Sequence, residues 1–244
     1  MVEKSENVYN HEISQYYDAI MEAGYNPNDH KVAADAIVKI LGSRKKVLEL
    51  GIGTGLLAEQ LVAKGIDLSG FDFSESMLEK AVARLGSKVK LYQQDVVNLN
   101  LPDIYEAAIS QGGVWVAIRE GNCLDSHITS YERNLQGLKR VAQHLNPTGL
   151  LIINLGPEQK DLTLQLADGA EYSQTVIRRN VAPWIGNLYE KNYFVRKNGG
   201  VVAFQHCKYD RFNEERAARL MMNAGFVSLG RDESDSFVVF QKKC

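Results

Sequence analysis

Three things are scarce in this 244-residue chain. Cysteine occurs only at Cys123, Cys207 and Cys244, an odd and scattered set without metal-ligand spacing. That pattern argues against a disulfide framework or a thiolate metal centre and implies reduced thiols in a cytoplasmic protein, with no metal. Charge of one sign is also missing: Lys+Arg 28 against Asp+Glu 30 leaves a formal net charge of −2. Such a balance gives a phosphate backbone no attractive field, so no nucleic-acid partner is expected. Long apolar runs are absent. Leu150-Leu151-Ile152-Ile153 falls far short of the ~20 residues that span a bilayer, and the polar residues 1–7 lack the apolar core of a secretory signal. No membrane partner is expected. Repeats of fixed period and low-complexity tracts are missing too, which removes solenoids and linker-joined arrays.

What is present is 45% hydrophobic residues, enough for a sizeable core. Short β-branched runs alternate with longer amphipathic stretches. Residues 47–50, 67–73, 89–94, 107–110 and 150–155 read as strands. Between them, residues 56–62 and 77–85 read as helices, the second capped by Ser74 or Ser76. A longer helix over 130–145 is stopped by Asn146-Pro147-Thr148-Gly149. Helices on both faces of alternating strands predict an α/β fold, a doubly wound, mostly parallel seven-stranded sheet of Rossmann-like type. Two helices (13–23 and 31–41), separated by Asn26-Pro27-Asn28-Asp29, precede it as an N-terminal helical lid. Residues 172–180, 188–197 and 201–209 alternate like antiparallel strands, with Asn198-Gly199-Gly200 as a hairpin turn, and form an inserted antiparallel β cap. A helix over 213–223 and a last strand over 236–241 complete the sheet.

The segment that carries chemistry is Glu49-Leu50-Gly51-Ile52-Gly53-Thr54-Gly55, which follows a strand and opens a helix. Its glycines let a ligand lie against main-chain atoms. A dinucleotide site wants G-x-G-x-x-G, but position 56 is Leu56, and the observed spacing is G-x-G-x-G. Glu49 would repel a pyrophosphate and attract an ammonium group. The segment resembles motif I of the class I S-adenosylmethionine-dependent methyltransferases of small-molecule type, and two further stations agree. Phe71-Asp72-Phe73-Ser74-Glu75-Ser76-Met77 resembles the family's second-strand end, and Gln94-Asp95-Val96 its third-strand end.

The resemblance implies S-adenosyl-L-methionine as cofactor, with Glu49 near its ammonium and Gly51, Gly53 and Gly55 beneath it. Asp72 would hold the ribose hydroxyls, Phe73 and Met77 would flank the adenine, and Asp95 with the Val96 amide would take the adenine edge. It further implies that Tyr17, in the stretch Tyr16-Tyr17-Asp18, reaches the cofactor from the lid, and that Gln111 lies at the transfer site. Residues 1–244 then form one methyltransferase domain: a helical lid (1–42), a cofactor-binding core (43–167), an antiparallel cap insertion (168–210) and a C-terminal completion of the sheet (211–244).

On the acceptor side the sequence is thinner. His206, at the end of a cap strand, is the candidate catalytic base, and His127 reads as a surface residue at a helix start. Trp115, Trp184 and Tyr193 are candidates for an aromatic substrate pocket, with core packing the alternative. The expected reaction is in-line methyl transfer to an N or O atom of a small metabolite, plausibly in secondary metabolism. The alternatives are a methyltransferase acting on a macromolecule and a non-catalytic cofactor-binding protein.

Overall fold

The computed structural model describes residues 10–24, 28–180 and 187–243. In chain order its helices are α1 (His11–Gly24), α2 (Asp29–Leu41), α3 (Leu56–Ala63), α4 (Glu75–Leu85), α5 (Tyr131–Gln143) and α6 (Glu214–Asn223). The strands of the first half are β1 (Lys46–Leu50), β2 (Asp67–Asp72), β3 (Lys90–Gln93), β4 (Tyr105–Ser110), β5 (Trp115–Ile118) and β6 (Cys123–Ser126). Those of the second half are β7 (Leu145–Gly156), β8 (Leu162–Gln165), β9 (Glu171–Asn180), β10 (Asn187–Lys197), β11 (Gly200–Phe212), β12 (Phe226–Arg231) and β13 (Phe237–Lys242). No helix among the described residues is long and apolar enough to cross a membrane.

The principal sheet runs β3–β2–β1–β4–β7–β13–β12, with the first five strands parallel and β13 antiparallel to β7. This is the expected seven-stranded, Rossmann-like arrangement. β1 is buried except at its first residue, as a central parallel strand covered on both faces must be. Ala34, Ile37 and Leu41 of α2 pack on one face with Leu57 and Leu61 of α3 and Ala81 of α4. Leu138 and Val141 of α5 cover the other with Leu220 and Met221 of α6. α5 starts where Ser130 accepts a hydrogen bond from the Arg133 amide, a cap worth about 1 kcal/mol. The strand order reverses between β1 and β4, and the carboxyl ends of these strands open a crevice there.

A second, mostly antiparallel sheet, β5–β6–β11–β10–β9–β8, leaves the first where β5 pairs with the end of β7, Ala117 opposite Leu155. The cap is therefore larger than the expected 168–210 insertion. β5 and β6 belong to it, and at four residues each they are too short to show a readable alternation. The lid also divides. α2 joins the principal sheet's core, whereas Ile13 and Ile20 of α1 pack with Tyr189, Tyr193, Cys207 and Tyr209 on the cap's inner face.

Candidate active site

The crevice begins with β1, whose carboxyl end runs into left-handed glycines at Gly51 (φ 72°) and Gly53 (φ 58°). Such backbone angles favour residues without a Cβ. A side chain at Gly113, just beyond β4, would place its Cβ 2.1 Å from the Leu50 carbonyl oxygen, so the two strand ends meet main chain to main chain. Gly55 has a different task. A Cβ there would lie 2.9 Å from Leu85, so its bare Cα serves the packing of α4 and faces away from the crevice.

Glu49 lies under this turn at 3% exposure, and its Oε2 has no hydrogen-bond partner among the described residues. Burial, and secondarily the Asp72 carboxylate, push its pKa up to about 8. A carboxylate kept dry with one oxygen unspent is a receptor for a cation. Asp72 ends β2 and accepts main-chain hydrogen bonds from Gly53 (2.8 Å) and Ser74 (2.9 Å), which fix the carboxylate and leave lone pairs for hydroxyl donors. Burial raises its pKa against the main-chain hydrogen bonds from Ser74, Gly53 and Phe73. Asp95 accepts from the Val97 amide at 2.9 Å and faces the Arg133 guanidinium at 3.5 Å.

These ends share one cleft of about 780 Å³, open to solvent. Asp72, Phe73, Met77, Asp95 and Val96 form one wall, Gly112, Gly113 and Val114 another, and Tyr17 of α1 closes over the top. Gln111 stands beside this wall, with its Oε1 buried and unpartnered among the described residues. α1 is held in place by Asp18, which accepts from the Thr54 hydroxyl (2.6 Å) and from Arg84 (2.7 Å), while Arg84 also donates to the Thr54 carbonyl.

The model of the methyltransferase domain family matches residues 47–149. That match spans less than half of the chain. The ubiquinone biosynthesis O-methyltransferase of Rickettsia canadensis is 28% identical over 115 residues, 46% of this chain and 43% of that protein. The chain thus matches less than half the length of this curated relative. Two solved structures share the fold across nearly the whole chain. Streptomyces venezuelae DesVI has a TM-score of 0.70 at 18% identity, covering 97% of this chain and all of that one. CalS10, described as an S-adenosylmethionine-bound amino pentose methyltransferase from Micromonospora echinaspora, has a TM-score of 0.66 at 18% identity, covering 98% and 99%.

The acceptor-side expectations change most. His206 lies on the outer face of the cap, 36% exposed, with Nδ1 2.7 Å from Asn192 and Nε2 3.5 Å from Glu190. Its parity on β11 is opposite to that of the inward Cys207 and Tyr209, so it points away from the cleft. His127, expected on the surface, lines the cleft instead. β6 ends at Ser126, and the chain turns inward so that the His127 amide donates to the Val114 carbonyl at 3.1 Å. The His127 ring packs edge-on against Tyr209 at 4.6 Å. Burial first, and then the Lys191 ammonium, lower it to about 3. Trp115 is fully buried, and its indole donates to Asn134 at 2.7 Å beneath α5, so it packs the core and does not reach the cleft. Tyr193 is buried on the cap's inner face with its hydroxyl 2.8 Å from that of Tyr209. Trp184 falls outside the described residues.

Proposed function

We propose that the protein binds S-adenosyl-L-methionine in this cleft and transfers its methyl group to an N or O atom of a small-molecule metabolite. The observation that carries the reading is the orphaned Glu49 oxygen, set below bare glycine main chain and in line with the carboxylates at Asp72 and Asp95. When bound, the cofactor supplies an electrophilic methyl group on a sulfonium, open to in-line displacement. Glu49 neutralises an ammonium, Asp72 accepts from vicinal hydroxyls, and Asp95 with the Val96 amide pairs with a heterocycle edge. Phe73 and Met77 give that ring apolar faces. Tyr17 and α1 exclude water, and the cleft orients the acceptor, an effect that supplies ~7–11 kcal/mol in well-placed cases.

His127 replaces His206 as the residue facing the acceptor. Held neutral, it accepts a hydrogen bond from a hydroxyl or amine as that group loses its proton. The solved neighbour described as taking part in calicheamicin biosynthesis supports a compact natural-product acceptor. Titration calorimetry with S-adenosylmethionine tests the reading. One-site binding that releases close to one proton near pH 6.5, as Glu49 ionises against the incoming ammonium, is expected. Absence of binding overturns it.

A further inference from the structure

Behind His127 the cap's inner face holds a second cation, and it has no carboxylate of its own. Lys191 is 8% exposed, and its ammonium sits 4.8, 5.9 and 6.0 Å from the ring centres of Tyr209, Tyr189 and Tyr193. Among the described residues its one hydrogen bond goes to the Gln159 side chain at 2.7 Å, which leaves two of its three donors unspent there. The acids nearby are committed elsewhere. Asp125 takes Arg211 at 2.7 and 2.9 Å and the Tyr189 hydroxyl at 2.8 Å, and Glu158 takes Arg211 at 2.8 Å. Cys207, directly across the strand pair, is a buried thiol whose acidity burial weakens. Lys191 forms no ion pair within 4.0 Å among the described residues. Burial lowers its pKa to about 8, against the pull of Asp125.

This geometry bears on the acceptor. A box of tyrosines suits a cation, but here the chain's own ammonium fills it, and a second ammonium brought into the cleft would meet it across a single ring. Tyr209 is that ring, touching His127 on one side and Lys191 on the other. A desolvated charge without a counter-ion gains from an anion that joins it. One lysine with one amide beside it matches a single negative charge, not a phosphate dianion, because the guanidinium that would share the load is already paired.

We propose that Lys191 is a substrate-binding residue and that the methyl acceptor is a hydroxy acid, whose carboxylate docks on this ammonium while its hydroxyl faces His127. The proposal rests on the reading of the cleft as an S-adenosylmethionine site. It couples two steps, because a carboxylate on Lys191 cancels part of the charge that depresses His127 and strengthens that imidazole as proton acceptor once the acceptor is in place.

The probes are 4-hydroxybenzoate, 4-hydroxybenzyl alcohol and 4-hydroxybenzylamine, titrated by calorimetry into protein saturated with S-adenosylhomocysteine. The acid should bind about tenfold or more tightly than the alcohol, as a charge-assisted hydrogen bond implies, and the amine weakest. Lys191→Met should erase the acid's advantage while S-adenosylhomocysteine affinity stays unchanged. Should Lys191→Met fail to fold, Lys191→Gln gives the same comparison. An order that is flat or reversed in the native protein, binding of none of the three, or an acid preference that survives loss of the ammonium overturns the proposal. Failure of S-adenosylhomocysteine itself to bind overturns the cofactor reading, and this one with it.

Discussion

The two walls of the cleft are made of different material. Along β1, β2 and β4 the surface offered to a ligand is largely main chain: left-handed glycines at 51 and 53, the Gly112–Gly113 pair, and amides that clamp Asp72. On the cap side it is side chain: His127 in the cleft lining, with Tyr209, Lys191 and the Asp125–Arg211 pair packed behind it. Main chain keeps its shape under most side-chain changes, so this wall, with the Glu49 and Asp72 carboxylates set into it, suits the part of the reaction that never changes. A side-chain wall can be re-cut residue by residue, so it suits the part that sets which acceptor is taken. The same division separates the glycine-floored cleft from a cap face that carries a buried ammonium.

The contrast can be broken from the cap side first. Asp125 is 3% exposed and is the principal partner of Arg211. Asp125→Ala leaves that guanidinium with Glu158 alone and should lower unfolding stability by about 3 kcal/mol, the low end for breaking a buried pair. Urea denaturation measures it, and a loss under about 1 kcal/mol would mean the cap is not held by this pair.

On the main-chain side the largest effect should come from Glu49→Gln. It should weaken cofactor binding by about ten- to a hundred-fold, corresponding to 1.5–3 kcal/mol for a hydrogen bond to a charge, and abolish proton release in calorimetry. Its effect on stability has the opposite sign. Glu49 holds its proton up to about 8 in the folded chain, against an ordinary value of 4.5. Its contribution is therefore complete below pH 4.5 and lost as pH rises through 8. The glutamine variant should match the native melting temperature at pH 4 and exceed it by a margin that grows up to pH 8 and then levels off. The smallest effect sharpens the face assignment. His206→Ala should change stability by less than about 0.5 kcal/mol, as exposed substitutions do, and leave methyl transfer intact; a large loss of turnover would put the outer face of the cap back into the reaction.

How much of this was legible in the sequence follows the same division. Glu49, Asp72 and Asp95 each lie at or just past the end of a short apolar strand, and the resemblance to the family's motifs at those strand ends is what singled them out. The five parallel strands were readable from local pattern. His127 and Lys191 meet at Tyr209, and no local pattern joins residues 64 positions apart, one just past β6 and the other on β10. One signal was there: Tyr189, Lys191 and Tyr193 share a parity, as do Gln205, Cys207 and Tyr209, and His206 has the other. Reading that alternation strictly turns His206 outward, because a shift of one residue moves a side chain to the opposite face. Trp115 went astray because a strand of four residues shows too little periodicity to reveal which side is core.

The clasp of Asp18 on Thr54 and Arg84 has a consequence for turnover. Thr54 belongs to the glycine-rich turn, and α1 carries Tyr17 over the cleft while its apolar side lies against the cap. The roof is thus bolted to the floor at one end and to the far wall at the other. Any swing of the roof wide enough to let a spent nucleoside out must unfasten the Asp18–Arg84 pair, so the exit of one product and the seating of the next acceptor share a single hinge.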